Sequence, residues 1–159
     1  MKKTRVGILG ATGMVGQRFV SLLENHPYFE VVVLAASSNS SGMKYIDSVN
    51  DRWKLNQPIP EYAKNIIVED VQNVDSVKEK VDLVFCALNM DKDEIIKIEE
   101  LYAKSEVVVV SNNSAHRWTE DVPMLMPEIN SHHLEAIQAQ KDRLGTKKGF
   151  IIVKPNCSI

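Results

Sequence analysis

The chain has 159 residues, of which 44% are hydrophobic and 25% charged, the composition of an ordinary soluble globular domain with one buried core. With a net charge of −2, the chain has no excess of basic residues to bind a nucleic-acid backbone. No apolar run approaches the roughly 18 residues that a helix needs to cross a bilayer. Because the basic N-terminus leads into a stretch too short and too glycine-rich for a signal peptide, we expect a cytoplasmic protein that binds neither nucleic acid nor membrane.

Apolar strands and amphipathic helices alternate along the chain. The predicted strands cover residues 6–9, 31–36, 66–68, 81–87, 106–110 and 150–153. The predicted helices cover residues 14–24, 74–80, 91–102 and 131–140, the third opening with a capping box of Asp91 and Glu94. Near-continuous β-branched runs are typical of strands covered on both faces. We therefore predict a Rossmann-like, doubly wound α/β fold with a mostly parallel sheet, in which residues 50–65 form an insertion or long loop.

A glycine-rich loop joins the first predicted strand to the first predicted helix. Gly10 permits a tight turn, Gly13 lets the backbone approach a pyrophosphate, and Gly16 lets helix and strand pack closely, in a variant of the dinucleotide fingerprint. The helix N-terminus adds free N–H groups and a partial positive charge. The competing interpretation is a plain tight turn. We predict that the whole loop binds the cofactor, through Gly10, Ala11, Thr12, Gly13, Met14, Val15 and Gly16.

The second predicted strand ends without the acidic residue that holds the ribose hydroxyls of NAD. Residues 37–41 are serine-rich instead, and hydroxyl or backbone N–H groups donate to a 2′-phosphate that a carboxylate would repel. We therefore predict NADP as the cofactor, with contacts from Ser37, Ser38 and Ser40 and with Lys44 as a further candidate. The alternative is that these serines form only a solvated loop.

Two cysteines lie in different surroundings, and we expect both to be reduced. Cys86 lies among apolar residues of a predicted strand, as a small buried hydrophobic residue does. Cys157 follows the last predicted strand, where the N-terminus of a following helix would stabilise a thiolate and a backbone N–H could serve an oxyanion. Their spacing fits neither a metal site nor a redox pair, so we predict no metal. Cys157 is a candidate nucleophile, for which no histidine can be assigned as base.

Four motifs carry a resemblance to a known family. In chain order they are GATGMVGQR at residues 10–18, SNNSAHR at 111–117, MPEIN at 126–130 and PNCS at 155–158. Together they resemble aspartate-semialdehyde dehydrogenase, in particular its archaeal and fungal branch, along the whole chain. The resemblance implies a two-domain dehydrogenase about twice as long. Residues 1–153 would then be its NADP-binding domain, and residues 154–159 would begin the catalytic, dimerising domain.

The resemblance also implies a reaction, the NADPH-dependent conversion of L-aspartyl 4-phosphate to L-aspartate 4-semialdehyde in lysine, threonine and methionine biosynthesis. In such enzymes a cysteine attacks the acyl phosphate, phosphate leaves, and hydride reduces the resulting thioester. By position, Cys157 is the nucleophile, Asn156 positions the substrate or stabilises the oxyanion, and Arg117 binds the phosphoryl group as a bidentate donor. Asn112 and Ser114 would line the nicotinamide side of the cleft.

The family's general base, a histidine, and its carboxylate-binding arginine come well after the cysteine, beyond the present chain. We therefore expect the chain to be an inactive fragment by itself and the full-length enzyme to be a homodimer or homotetramer. A malonyl-CoA reductase of the same fold would use the same cysteine and NADPH, and nothing before Cys157 separates the two. N-acetylglutamyl-phosphate reductase is a less similar relative. A non-catalytic dinucleotide-binding regulatory module is the alternative from another class.

Overall fold

A single sheet of six parallel strands forms the centre of the computed structural model, which describes residues 2–158. The strands are β1 (Thr4–Leu9), β2 (Phe29–Ala36), β3 (Glu69–Asp70), β4 (Leu83–Cys86), β5 (Val108–Ser111) and β6 (Phe150–Val153). Their order across the sheet is β3-β2-β1-β4-β5-β6, and every neighbouring pair is parallel. This confirms the predicted doubly wound fold. Residues 1 and 159, the ends of the predicted domain division, lie outside the described range.

The connections between strands are mostly helical. The α-helices are α1 (Met14–Leu22), α2 (Tyr45–Val49), α3 (Glu61–Lys64), α4 (Val74–Lys78), α5 (Lys92–Lys104), α6 (Pro127–Asn130) and α7 (Ala136–Leu144). Two 3-10 helices cover Asn50–Arg52 and Ser131–Glu135. Within residues 2–158, none of these helices is both long and apolar enough to cross a bilayer.

Two apolar cores cover the two faces of the sheet. Consecutive strand residues point to opposite faces, so Ile8 lies in one core and Leu9 in the other. On the face of Ile8, α1 and α2 bury Val20 and Tyr45 completely. On the face of Leu9, α5 buries Tyr102. Helices on both faces explain why the strands are almost continuously apolar.

One predicted strand is displaced in the structure. The prediction of a sheet strand over residues 66–68 was wrong, because Ile67 forms an isolated antiparallel bridge with Lys44 instead. The Val68 N–H donates to the Met43 carbonyl at 2.8 Å, so this segment pairs with the loop that follows β2. The sheet strand is β3, immediately after it. Local apolar pattern cannot distinguish these two kinds of pairing.

Two helix predictions also need correction. Asp91 precedes α5 as its N-cap residue, but its side chain makes no capping hydrogen bond, so the predicted capping box with Glu94 is not formed. The predicted helix over residues 131–140 begins as a 3-10 helix and continues as α7. The short helix α6 lies directly before it, within the MPEIN motif.

Residues 50–65, predicted as an insertion or long loop, pack against the core on the α1 face. The Trp53 Nε1 donates to the Gln57 carbonyl at 2.7 Å, and the Trp53 ring meets the Tyr45 ring edge-on with centroids 6.5 Å apart. Because this segment is fixed, it holds Arg52 in a defined place beside the glycine-rich loop.

Candidate active site

The carboxyl ends of the parallel strands meet at one edge of the sheet, and the chain changes direction between β1 and β4. Such a switch point leaves a crevice, which is where open α/β sheets bind ligands. A cleft opens at this point. Its lining residues are Gly10, Thr12, Gly13, Ala36, Ser37, Arg52, Ala87, Leu88, Asn89 and Met90.

Two glycines shape the floor of this cleft because no side chain fits at their positions. Gly10 has a φ of +85°, and a Cβ there would lie 2.2 Å from the Ala87 carbonyl oxygen. A Cβ on Gly16 would lie 2.1 Å from the Gly10 carbonyl oxygen. Gly13 differs, since it is exposed and a Cβ there would meet only that same oxygen, at 3.5 Å. The outer side of Gly13 is therefore open to a ligand.

The first turn of α1 presents its N–H groups without a competing anion. Gly13 is the N-cap residue, no side chain caps it, and the first turn contains no acidic residue. The positive end of the helix dipole is thus uncompensated beside the cleft, as anion binding requires. Met14 and Val15 are exposed at this helix start, whereas Ala11 is buried and its carbonyl accepts a hydrogen bond from the Tyr45 hydroxyl.

The serine-rich loop contributes less to the cleft than its composition suggests. Ser37 lines the cleft, while Ser38 and Lys44 are exposed outside the lining. Ser40 is only 3% exposed, and its hydroxyl accepts a 3.4 Å hydrogen bond from Arg52 Nη2. Of the four residues predicted to contact a 2′-phosphate, the structure thus brings Ser37 to the cleft.

Arg52 is a lining residue that sequence reasoning missed. Its backbone carbonyl accepts a 2.9 Å hydrogen bond from Gln17 Nε2, which donates equally to the Thr12 carbonyl of the glycine-rich loop. Gln17 Oε1 accepts from the Lys54 N–H at 2.8 Å. The sequence did not indicate that Gln17 links these two segments. Only the tertiary structure shows that its side chain is buried and that its amide forms hydrogen bonds with these partners.

The segment after β5 is fastened to the cleft by Asn113. Its Oδ1 accepts from the Leu88 N–H at 3.1 Å, and its Nδ2 donates to the Leu88 carbonyl at 2.5 Å. The neighbouring Asn112 N–H donates to the Cys86 carbonyl at 2.8 Å. Asn112 is half-buried and Ser114 exposed, and both lie beside the cleft rather than in its lining.

Arg117, predicted to bind phosphate, contacts the segment that leads from β6 to the predicted catalytic residues Asn156 and Cys157. Arg117 donates from Nε to the Lys154 carbonyl at 3.2 Å and from Nη2 to the Pro155 carbonyl at 3.4 Å. Asn156 Oδ1 accepts from Cys157 Sγ at 3.3 Å, and Cys157 is exposed. β6 lies three strands from β1, roughly 14 Å along the same edge of the sheet. The strand that leads to Cys157 and the strand that leads to the glycine-rich loop therefore end at the same edge of the sheet.

A buried ionisable cluster lies beneath this edge, and no sequence pattern indicated it. Glu99 of α5 is wholly buried, and its Oε1 accepts a hydrogen bond from the Ser111 hydroxyl at the end of β5. Among residues 2–158, Glu99 Oε2 and His116 Nε2 have no hydrogen-bond partner, and they lie 4.0 Å apart. Burial raises the pKa of Glu99 to about 7 and lowers that of His116. Cys86, predicted as a buried hydrophobic residue, is buried beside them, which raises its thiol pKa.

Fold and site together define the class of protein. A parallel sheet of this order, with a glycine-rich turn entering an uncapped helix at its switch point, is a dinucleotide-binding fold. A family described as "Semialdehyde dehydrogenase, NAD binding domain" matches residues 5–137, and the chain belongs to this family.

Similar proteins are consistent with this membership. An aspartate-semialdehyde dehydrogenase of Archaeoglobus fulgidus is 43% identical over 155 residues, covering 96% of this chain and 42% of the relative. One of Saccharomyces cerevisiae is 42% identical over 160 residues, covering 98% of this chain and 42% of the relative. The chain thus spans about 42% of the length of these curated relatives.

Solved structures extend the likeness to three dimensions. The crystal structure of aspartate semialdehyde dehydrogenase with NADP from Candida albicans has a TM-score of 0.82 and 37% identity, covering 99% of this chain and 44% of that one. The crystal structure of aspartate semialdehyde dehydrogenase II complexed with ASA from Vibrio cholerae has a TM-score of 0.68 and 28% identity, covering 99% of this chain and 43% of that one.

Proposed function

We propose that this chain is the NADP-binding part of an aspartate-semialdehyde dehydrogenase, which converts L-aspartyl 4-phosphate to L-aspartate 4-semialdehyde. The observation that carries the proposal is the shared edge, where Arg117 holds the segment of Cys157 on the same side of the sheet as the glycine-rich loop. Relatives of about 40% identity that carry this enzyme's name support it. Within that enzyme, residues 1–153 form the cofactor domain and residues 154–159 begin the catalytic domain.

The cleft fits a dinucleotide. Positions 10 and 16 leave no room for a Cβ, so the backbone forms a cradle open at Gly13, and α1 directs its uncompensated positive end there. Gly13, Met14, Val15 and the rest of the loop would hold the pyrophosphate, and Ser37 would contact the adenosine ribose. Among residues 2–158, the cleft lining contains no carboxylate, which favours NADP over NAD. The Candida albicans neighbour, solved with NADP, supports the same cofactor.

The residues at the end of β6 would perform the covalent chemistry. The Cys157 thiolate attacks the acyl carbon of the substrate, a C–S bond forms, and phosphate leaves with the electron pair of the C–O bond. Arg117 would hold the departing phosphate. Asn156 Oδ1 is occupied by the thiol and by Ser158, which leaves its Nδ2 to donate to the oxyanion. Bound NADPH supplies the hydride that reduces the thioester, and release of the aldehyde returns the thiolate.

The remaining parts of the activity belong to the rest of such an enzyme. The general base and the group that binds the substrate carboxylate would come from the share of the relatives' length that this chain does not cover. We therefore expect the chain alone to bind NADPH without turnover, and we propose that the full-length protein is a homodimer or homotetramer acting in amino-acid biosynthesis.

The test is phosphate-dependent reduction of NADP by aspartate semialdehyde, measured in the full-length protein. We expect this activity in the wild-type enzyme and its loss in Cys157→Ser, with NADPH binding unchanged in the variant. Activity that requires CoA instead of phosphate would contradict the proposal and favour a CoA-thioester reductase. Retention of activity by Cys157→Ser would show that Cys157 is not the nucleophile.

A further inference from the structure

We propose that Arg52 is the residue that selects NADP over NAD, by binding the 2′-phosphate of the adenosine ribose. Neither its residue type nor its spacing marked it in the sequence, and the serines of residues 37–40 gave the more obvious candidates. This inference rests on the proposed binding of NADP. Four features of the structure support it: the position of the arginine, its free charge, the weakness of the competing contacts, and the way its backbone is fixed.

The position of Arg52 is at the adenosine end of the cleft. Arg52 lines the cleft together with Ser37, which follows β2 directly. Arg52 Nη2 donates to the Ser48 carbonyl and to the Ser40 hydroxyl, so the guanidinium lies against the loop after β2. In this fold the residues just beyond β2 recognise the 2′ position of the ribose, and a nearby arginine suits a 2′-phosphate.

The charge of Arg52 is not neutralised. Among residues 2–158, the salt bridges made by arginines involve Arg5 and Arg143, and Arg52 has no carboxylate oxygen within 4.0 Å. Its Nη2 is the nitrogen that donates to protein groups, which leaves Nε and Nη1 available in this part of the chain. The positive charge and these free N–H groups suit a phosphate, to which either nitrogen can donate a charge-assisted hydrogen bond.

The competing candidates are less well placed. Lys44 is exposed, and its backbone pairs with Ile67 outside the cleft lining. Ser40 is buried, so its hydroxyl serves the Arg52 side chain rather than a ligand. Ser37 offers a hydroxyl without a charge. Of the described residues that line the cleft, Arg52 is the one with a positive charge, and none carries a carboxylate.

The backbone of Arg52 is tied to the pyrophosphate cradle. Gln17 Nε2 bridges the Arg52 and Thr12 carbonyls, each at 2.9 Å, and Gln17 itself is 1% exposed. The distance between arginine and glycine-rich loop is thus set by a buried side chain. A ligand held by the loop would meet the guanidinium in a preorganised place, which lowers the entropic cost of binding.

The experiment compares NADPH and NADH affinities of Arg52→Gln, Arg52→Lys and wild type, by fluorescence titration of the full-length protein. We expect Arg52→Gln to weaken NADPH binding by about 10-fold or more, equivalent to about 1.4 kcal/mol, and to change NADH binding less than about 2-fold. Arg52→Lys should restore part of the loss, because it keeps the positive charge without the N–H groups of the guanidinium. The matched control is Lys54→Gln, which removes an exposed positive charge two residues away and should leave both affinities unchanged.

Several outcomes would overturn the assignment. Unchanged NADPH affinity in Arg52→Gln would show that the guanidinium does not contact the phosphate. An equal loss of NADPH and NADH would assign Arg52 to the pyrophosphate or to folding. If Arg52→Gln fails to fold, Arg52→Lys and competition by 2′-phospho-AMP against AMP in the wild type still decide, because equal competition would exclude a 2′-phosphate site. Failure of wild type to bind NADPH would instead contradict the proposed function.

Discussion

Asn113 joins two loops of the cleft through two hydrogen bonds to the backbone of Leu88. Its Oδ1 accepts from the Leu88 N–H at 3.1 Å, and its Nδ2 donates to the Leu88 carbonyl at 2.5 Å. Leu88 and its two successors line the cleft, while Asn113 belongs to the segment that continues to Arg117. One side chain therefore links the shape of the cleft to the position of the segment that contains Arg117, the proposed phosphate-binding residue.

We predict that Asn113→Ala loosens the Leu88 loop. Loss of both hydrogen bonds leaves two half-buried backbone groups without partners, which should lower the free energy of unfolding by about 1–3 kcal/mol. NADPH affinity should fall several-fold, because the loop lines the cleft. Urea unfolding and NADPH titration measure the two effects. Asn56→Ala, at an exposed position, serves as the control, and equal behaviour of the two variants would contradict the clamp.

Alanine substitutions at two glycines of the glycine-rich loop should have different effects, one on stability and the other on NADPH affinity. A Cβ at Gly16 would lie 2.1 Å from the Gly10 carbonyl oxygen, so Gly16→Ala should destabilise the fold by more than about 2 kcal/mol. A Cβ at Gly13 meets the same oxygen at an ordinary 3.5 Å, so Gly13→Ala should fold normally. It should nevertheless lose NADPH affinity, since the methyl group would occupy the space of the pyrophosphate.

Thermal unfolding and NADPH titration of both variants separate these effects. Gly42→Ala is a useful comparison, because its φ of +82° strains any side chain while the space around it is open. It should therefore cost stability without affecting the cofactor. Normal NADPH binding by Gly13→Ala would contradict the assignment of the pyrophosphate to this loop.

The glycine-rich loop and the buried strands could be predicted from the sequence because their causes are local. Gly10 and Gly16 are required by contacts that every strand-turn-helix unit of this kind makes, and β6 has the bounds that its apolar run predicts. Arg52 could not be found in this way. Its place depends on Gln17, a residue 35 positions away, and on the packing of a segment without a regular pattern.

Glu99 was missed for a related reason. In the sequence it belongs to a charged stretch of an amphipathic helix, where most glutamates face solvent. Only the contact of α5 with the end of β5 shows that this carboxyl is buried against Ser111 and faces His116. Patterns of polarity identify which face of a helix is apolar, but not which polar residue is enclosed there.

Burial of Glu99 should make stability depend on pH. Its pKa rises from an ordinary 4.5 to about 7 on folding, chiefly through desolvation. Between these pH values the unfolded carboxyl has released its proton while the folded one retains it, so this group lowers stability as pH rises from 4.5 to 7. The full effect is on the order of 3 kcal/mol. His116, whose pKa is lowered by burial, opposes this trend as pH falls below 6.5.

The variant Glu99→Gln separates the contribution of the carboxyl to the pH dependence of stability from that of His116. Because the amide cannot ionise, the stability of Glu99→Gln relative to wild type should increase steadily between pH 5 and pH 7 and then level off. Urea unfolding at intervals across this range measures the difference. Glu94→Gln, exposed on the same helix, should follow the wild-type profile. A constant difference between Glu99→Gln and wild type would show that the folded carboxyl titrates normally.

The two thiols should differ sharply in reactivity, and this difference tests the proposed placement of the nucleophile. Cys157 is exposed at the end of β6, whereas Cys86 is wholly buried, with a thiol pKa raised by desolvation and by the nearby Glu99. Iodoacetamide should therefore modify one thiol per native chain, and the second only after unfolding in urea. Intact mass and peptide mapping identify the modified residue.

Single substitutions complete this test. Cys86→Ala should still accept one label in the native state, because the exposed thiol is untouched, and Cys157→Ser should accept none until the chain unfolds. Labelling of Cys86 at the rate of Cys157 would mean that the core around β4 opens readily, because this thiol is wholly buried in the same core as the apolar side chains of α5. In that case the buried cluster of Glu99 and His116 would open with it, and the pH dependence predicted for Glu99 would disappear as well.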